Sequence, residues 1–195
     1  LRIVLGVTGG IAAYKVTELI REFKRLGHEV SVIPTANALK FIGSATLEAL
    51  SGQKVSSEVF SEVESVKHVA LGQSADLIVV APATASFMAK FANGISDDLL
   101  GTTLLATKAP IILAPAMHTE MWLNPATVEN VSILENRGIH IIQPATGPLT
   151  SGDVGAGRLP DAKQIVQKAL AVTGSKDLLG KRVLVTAGGT HAGID

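Results

Sequence analysis

Short apolar runs alternate along the chain with longer stretches in which apolar residues recur every three to four positions. The first kind reads as a strand buried on both faces, the second as an amphipathic helix. Arg2–Val7 is the first predicted strand, and Gly10–Leu26 the first helix, with Ile11, Val16, Leu19, Ile20, Phe23 and Leu26 on its apolar face. Gly27 stops it, because glycine takes the left-handed conformation that closes helices. His28–Pro34 follows as a strand, and Thr35–Ser51 as short helices broken at Gly43 and Gly52. Asp76–Ala81 predicts a buried parallel strand, Pro82–Ser86 a loop, and Phe87–Ala92 a helix. Asp97–Thr107 predicts a helix whose two leading carboxylates sit where the helix dipole favours negative charge. Pro110–Ala114 is a fourth strand, Pro115–Asn124 a loop, Pro125–Arg137 a helix stopped by Gly138, and Ile139–Ile142 a fifth strand. Gln143–Pro160, rich in Gly, Pro, Thr and Ser, reads as one long loop, and Asp161–Val172 as the last helix.

Strands alternating with helices define an α/β protein: a doubly wound parallel sheet in three layers. Ligands of such sheets sit beyond the carboxyl ends of the strands, here at Val7–Ala13, Ala81–Ser86 and Pro115–Trp122. Residues 1–172 form the expected domain and 173–181 a linker. Residues 182–195 restart the strand-glycine pattern in Val183–Thr190, as the opening of a second domain.

Charge and composition narrow the function. Formal net charge is zero over 195 residues, which argues against a general nucleic-acid surface. Cysteine is absent, which removes disulfides, thiolate metal sites and a thiol nucleophile. Leu77–Ala89 is the best uncharged stretch, but it contains Pro82 and is too short to span a bilayer. No secretory signal is read at the start, so the expected location is the cytoplasm.

Gly6, Gly9 and Gly10 turn the first strand into the first helix, an arrangement that offers backbone N–H groups to a phosphate. The spacing is not that of a dinucleotide fingerprint, and the second strand ends in Pro34-Thr35-Ala36-Asn37 with no carboxylate for a ribose. A mononucleotide phosphate is favoured, with Thr8 and Thr35 as hydroxyl donors; the alternative is an ordinary tight turn. His68 is either a structural histidine or a base near neutral pH. The small residues of Pro82–Ser86 admit a flat ring, or simply cap a helix. The Pro115–Trp122 loop, with the only Trp and two of three Met, covers either the core edge or a ligand. His118 and Glu120 lack the spacing of a metal motif. Arg158 is either a solvated loop charge or an anion clamp.

Taken together, Gly6–Lys15, His68, Pro82–Ser86 and Pro115–Trp122 resemble the flavin-containing cysteine decarboxylases, with their flavodoxin-like Rossmann fold. The likeness is strongest to the branch in which a phosphopantothenoylcysteine decarboxylase is fused to a phosphopantothenate–cysteine ligase, whose opening Val183–Thr190 resembles. The resemblance implies FMN held by Thr8, Gly9, Gly10, Ile11, Thr35 and Phe41, with Ala83, Thr84, Ser86 and Met117 near its ring end. It implies a small phosphopantothenoyl substrate contacted by Ala116, Met117, His118 and Arg158, with His68 as the base. The cysteinyl CH₂–SH would be oxidised to a thioaldehyde, which eases CO₂ loss, and the enethiolate then reduced to 4′-phosphopantetheine. CTP and Mg would serve only the ligase domain. A homo-oligomer, trimer or dodecamer, is implied, and no nucleic-acid or membrane partner.

Two positions depart from the family pattern. His118 stands where the family usually has Asn, and imidazole can still donate to a carboxylate. Ser151 stands where many relatives have the Cys that protonates the final intermediate, and a hydroxyl is a far weaker acid. Asp153, His118 or water would then supply that proton. The rival readings are an oxidative peptidyl- or acyl-cysteine decarboxylase that releases the enethiol, a non-catalytic flavin-binding regulatory subunit, and a plain flavodoxin-type carrier.

Overall fold

The computed structural model describes residues 1–55, 70–148, 154–174, 182 and 184. Five strands, β1 (Arg2–Val7), β2 (Glu29–Pro34), β3 (Leu77–Ala83), β4 (Ile111–Pro115) and β5 (His140–Ile141), form a parallel sheet in the order β2-β1-β3-β4-β5. The chain leaves β1 in opposite directions to reach β2 and β3, which puts the topological switch point between β1 and β3.

The apolar runs are explained by burial on both faces. Along β1 and β3, Ile3, Leu5, Val7, Leu77, Val79 and Ala81 join one core, while Val4, Ile78 and Val80 join the other. The first core packs α1 (Val16–Arg25), α2 (Ser44–Ser51) and the final helix (Ala162–Thr173) through Leu19, Phe23, Leu47 and Ile165. The second packs α3 (Ala85–Ala92), α4 (Leu99–Ala106) and the helix Pro125–Asn136 through Met88, Leu100 and Leu134. Two-sided strands have no polar face to mark period two, so they read as solid apolar runs.

Several sequence expectations are corrected in detail. The first helix opens as a 3-10 turn over Ile11–Lys15, because Gly10 supplies no side-chain cap. Ile11 and Leu26, expected on the buried face, are exposed. Pro82 and Ala83 belong to β3, so the loop expected over Pro82–Ser86 shrinks to Thr84, whose Oγ1 accepts from the Phe87 N–H at 3.3 Å and caps α3. Of the Asp97–Asp98 pair, only Asp98 caps α4, accepting from the Gly101 N–H at 2.7 Å. The expected loop Pro115–Asn124 contains a helical turn, α5 (Thr119–Trp122). The expected loop Gln143–Pro160 contains an antiparallel hairpin, β6 (Ala145–Pro148) with β7 (Val154–Arg158). His68, Ser151, Asp153 and, apart from Leu184, Val183–Thr190 lie outside the described residues.

Candidate functional site

Two clefts open side by side at the carboxyl ends of β1, β3 and β4. They share Thr84, Ala85 and Met121, so together they form one trough. The inner cleft, about 280 Å³, is lined by Thr8, Gly9, Thr35, Asn37, Ser86 and Lys90 among others. The outer cleft, about 550 Å³, is lined by Gly10, Ile11, Tyr14, Lys15, Ala116, Met117, His118 and Arg158 among others.

The inner cleft is built from residues that immediately follow strands. Thr8, 1% exposed, ties two of these loops together: its hydroxyl donates to the Pro82 carbonyl at 2.8 Å and accepts from the Thr84 N–H at 3.0 Å. With its proton given to Pro82, Thr8 acts as a strut between the two loops. Thr35 is the better donor. Its Oγ1 accepts from the Ala38 N–H at 3.3 Å, which leaves its own proton to give. Gly9 is required by space, not by backbone angle, since its φ is not positive. A Cβ there would lie 2.8 Å from the Asn37 carbonyl carbon. At the far side, the first-turn N–H groups of Ala85 and Ser86 in α3 have no intrahelical partners, while that of Phe87 is taken by Thr84 Oγ1. Small residues, hydroxyls and helix-end N–H groups fit a phosphate ester.

The outer cleft needs a second wall from far along the chain. β7 lies against the Pro115–Trp122 loop, and the Met117 N–H donates to the Gly157 carbonyl at 3.0 Å. Gly157 has φ +150°, and a Cβ there would drive into the Met117 carbonyl. Thr119 packs against Gly155, and its buried Oγ1 has no hydrogen-bond partner among the described residues. This docking sets His118 and Met117 opposite Ile11 and Tyr14. Lys15 donates weakly to the Leu159 carbonyl at 3.5 Å, and Arg158 Nη2 stands 3.9 Å from Asp161 Oδ1. Among the described residues, the cleft lining includes no carboxylate to neutralise either cation.

The trough thus gathers Gly10, Ile11, Thr84, Ala116, Met117, His118 and Arg158 in its outer part, and Thr8, Gly9, Thr35 and Ser86 in its inner part. Two expected residues stand apart. Ala83 is fully buried within β3, and Phe41 is 47% exposed outside both linings. The placement of His68 and Ser151 falls outside the described residues. Reading the sequence passed over Tyr14, Lys15, Asn37 and Lys90 as site residues. Tyr14 and Lys15 close the glycine motif itself, and Tyr14 is exposed beside the cleft.

A parallel sheet of this order, with a hydroxyl-lined phosphate cradle at its switch point, defines a mononucleotide-binding protein of flavodoxin-like fold. The model of the family described as Flavoprotein matches residues 1–174, and the chain belongs to that family. The chain is 53% identical over 199 residues to the coenzyme A biosynthesis bifunctional protein CoaBC of Mycobacterium bovis, and 43% identical over 196 residues to that of Vibrio vulnificus. It spans about half the length of these curated relatives, 48% and 49%, while all of it is matched. Among solved structures, a PPC decarboxylase mutant complexed with pantothenoylaminoethenethiol superposes with TM-score 0.80 at 30% identity, covering 88% of this chain and 97% of that one. The FMN-dependent cysteine decarboxylase SpaF gives TM-score 0.77 at 32% identity, covering 89% and 97%.

Proposed function

We propose that this chain is an FMN-dependent decarboxylase that converts 4′-phosphopantothenoylcysteine to 4′-phosphopantetheine in coenzyme A synthesis. The observation that carries the reading is the joining, in one trough, of a hydroxyl-lined phosphate cradle and a cationic outer cleft walled by Met117 and His118. Family membership and the names of the relatives agree with it. Thr35, Gly9, Ser86 and the start of α3 would hold the cofactor phosphate, and the small residues at Thr84–Ala85 and Ala116 leave room for a flat ring between the two clefts. A bound flavin supplies a two-electron acceptor and donor next to the substrate sulfur-bearing carbon.

The protein's own groups bind and orient the substrate. Lys15 and Arg158 give the outer cleft positive charge suited to a phosphorylated, carboxylate-bearing molecule. His118 extends from the cap of α5 without a side-chain capping bond, free to donate to the substrate carboxylate. His68 is proposed as the base that takes the proton from the carbon or thiol. The final proton comes from His118, Asp153 or water in place of the thiol that Ser151 lacks. Residues 182–195 are proposed as the opening of a ligase domain that would use CTP and Mg. The exposed Ile11, Tyr14, Met121 and Leu123 near the trough would be covered by other copies in a trimer or a dodecamer. No helix among the described residues is long and apolar enough to cross a membrane, and the proposed location is the cytoplasm.

The absence of cysteine favours a second reading, oxidative decarboxylation that stops at the enethiol. One experiment separates the two: load purified protein with FMN, confirm the flavin spectrum, add phosphopantothenoylcysteine and weigh the product. Phosphopantetheine is the expected product. A product two hydrogens lighter selects the second reading, and protein that cannot retain FMN sinks both.

A further inference from the structure

The charges around the inner cleft do not suit a phosphate as they stand. Among the described residues, the charged side chains in its lining are one ammonium, Lys90, and one carboxylate, Asp98, with Asp97 next to them. Asp98 is committed to the cap of α4 through the Gly101 N–H. Lys90 Nζ donates to Asp97 Oδ2 at 2.6 Å, and that contact raises the pKa of the lysine and lowers that of the aspartate. One positive charge therefore faces two negative ones at the mouth of a site whose hydroxyls and helix end invite an anion.

The Lys90–Asp97 pair is easily opened. The two side chains are 42% and 54% exposed, and ion pairs that exposed contribute little. Lys90 follows Ser86 by four residues and Phe87 by three on α3, so it shares their face of the helix, and all three line the cleft. A lysine carries a compact charge on a flexible four-carbon stem and can swing between partners on one side of a helix.

We propose that Lys90 is the phosphate counter-ion of the inner cleft, shared with Asp97 until a phosphorylated cofactor draws it in. The proposal rests on the flavin reading above and adds the residue that makes the cleft prefer a phosphorylated flavin to a bare one. Thr35 and the α3 N–H groups would place the phosphate; Lys90 would supply the charge that they lack.

FMN and riboflavin share a ring and differ by the phosphate, so their dissociation constants, read from quenching of flavin fluorescence on the full chain, isolate the effect. Lys90→Met should weaken FMN by about tenfold or more while riboflavin stays within about twofold, and should flatten the salt dependence of FMN binding. Lys90→Arg should restore most of the FMN affinity. Asp97→Asn should tighten FMN severalfold and leave riboflavin unchanged. Equal loss of both flavins in Lys90→Met, or loss of FMN in Asp97→Asn, overturns the proposal and leaves the pair as a strut between α3 and α4. Wild-type protein that binds riboflavin and FMN equally also overturns it while sparing the flavin reading; binding of neither overturns both.

Discussion

The two clefts of the trough differ in what holds them. The inner one stands on the ends of two central strands, each buried on both faces, and Thr8 ties their loops with two hydrogen bonds. The outer one shares that floor, but its far wall is Gly157, Arg158 and Leu159, at the end of the hairpin β6–β7 and 144 residues beyond Lys15, which donates to the Leu159 carbonyl. Leu159 anchors that wall in the core, but the hairpin itself is attached by the Met117–Gly157 backbone bond and by close packing of glycines: of β7 only Gly157 is buried. The inner cleft therefore rests on the core, whereas the outer one depends also on a docked hairpin that can be loosened by itself.

The largest effect should come from breaking the docking. Gly157→Val places a branched Cβ into the Met117 carbonyl at a φ that L residues avoid. Backbone strain of about 1–3 kcal/mol and overpacking of similar size should fall on the hairpin, whose cheapest response is to undock. Turnover should drop by at least about a hundredfold, with FMN affinity nearly unchanged. Parallel loss of FMN binding and turnover would erase the distinction between the clefts. Next comes Thr8→Val, which deletes the strut, takes the acceptor from the Thr84 N–H and leaves the Pro82 carbonyl with only the Thr8 N–H at 3.3 Å. Global stability should fall by about 1–3 kcal/mol in denaturant titration, and FMN should weaken with it. Stability that falls without any change in FMN affinity would mean the strut serves the core alone.

The same division explains what the sequence made legible. The strands of the sheet were readable because strands buried on both faces are solid apolar runs, and Arg2–Val7 was found to the residue, whereas the strand order came from the structure. The glycine turn, the Pro115–Trp122 loop and Arg158 were singled out as candidates, and residues of all three line the trough. The hairpin was hidden because Ala145–Pro148 and Val154–Arg158 carry Gly, Ala and Pro, the composition of a loop. Those small residues are what lets β7 press against Met117 and Thr119, a tertiary reason with no periodic trace. The strut role of Thr8 was hidden for a related reason: a single threonine does not say that its proton reaches the Pro82 carbonyl seventy-four residues away. Tyr14 and Lys15 were overlooked because they lie in the 3-10 turn that opens the helix and line the trough, and the apolar spacing records only the buried face.

A smaller effect tests the rim of the inner cleft. Asp98→Ala removes the acceptor for the Gly101 N–H and should cost about 1 kcal/mol as a lost helix cap. It also takes a negative charge from the cleft lining, so FMN should bind slightly more tightly even as the melting temperature falls. Stability and affinity moving in opposite directions would sharpen the contrast between scaffold and site. Movement of both in the same direction would show that the α4 cap is part of the cradle's own rigidity.

The smallest effect belongs at the opposite end of the sheet, away from both clefts. Asp76 precedes β3, accepts from the Arg2 N–H at 2.7 Å, and pairs with the Arg2 guanidinium at 3.0 Å. The guanidinium hydrogen bond holds its pKa at about 2, below the ordinary 3.8. A carboxylate whose folded pKa is depressed adds stability that is fully present above its unfolded value and is lost as pH falls through the folded one. The contribution is therefore complete above about pH 4 and gone below about pH 2, and solvent around this exposed pair keeps it small. Asp76→Asn should lower stability slightly at neutral pH and match the wild type near pH 2, with FMN affinity and turnover untouched throughout. Any change in FMN affinity in that variant would show that the two ends of β1 and β3 are coupled, and that the cradle is set by the whole strand pair and not by the Thr8 strut at its carboxyl end.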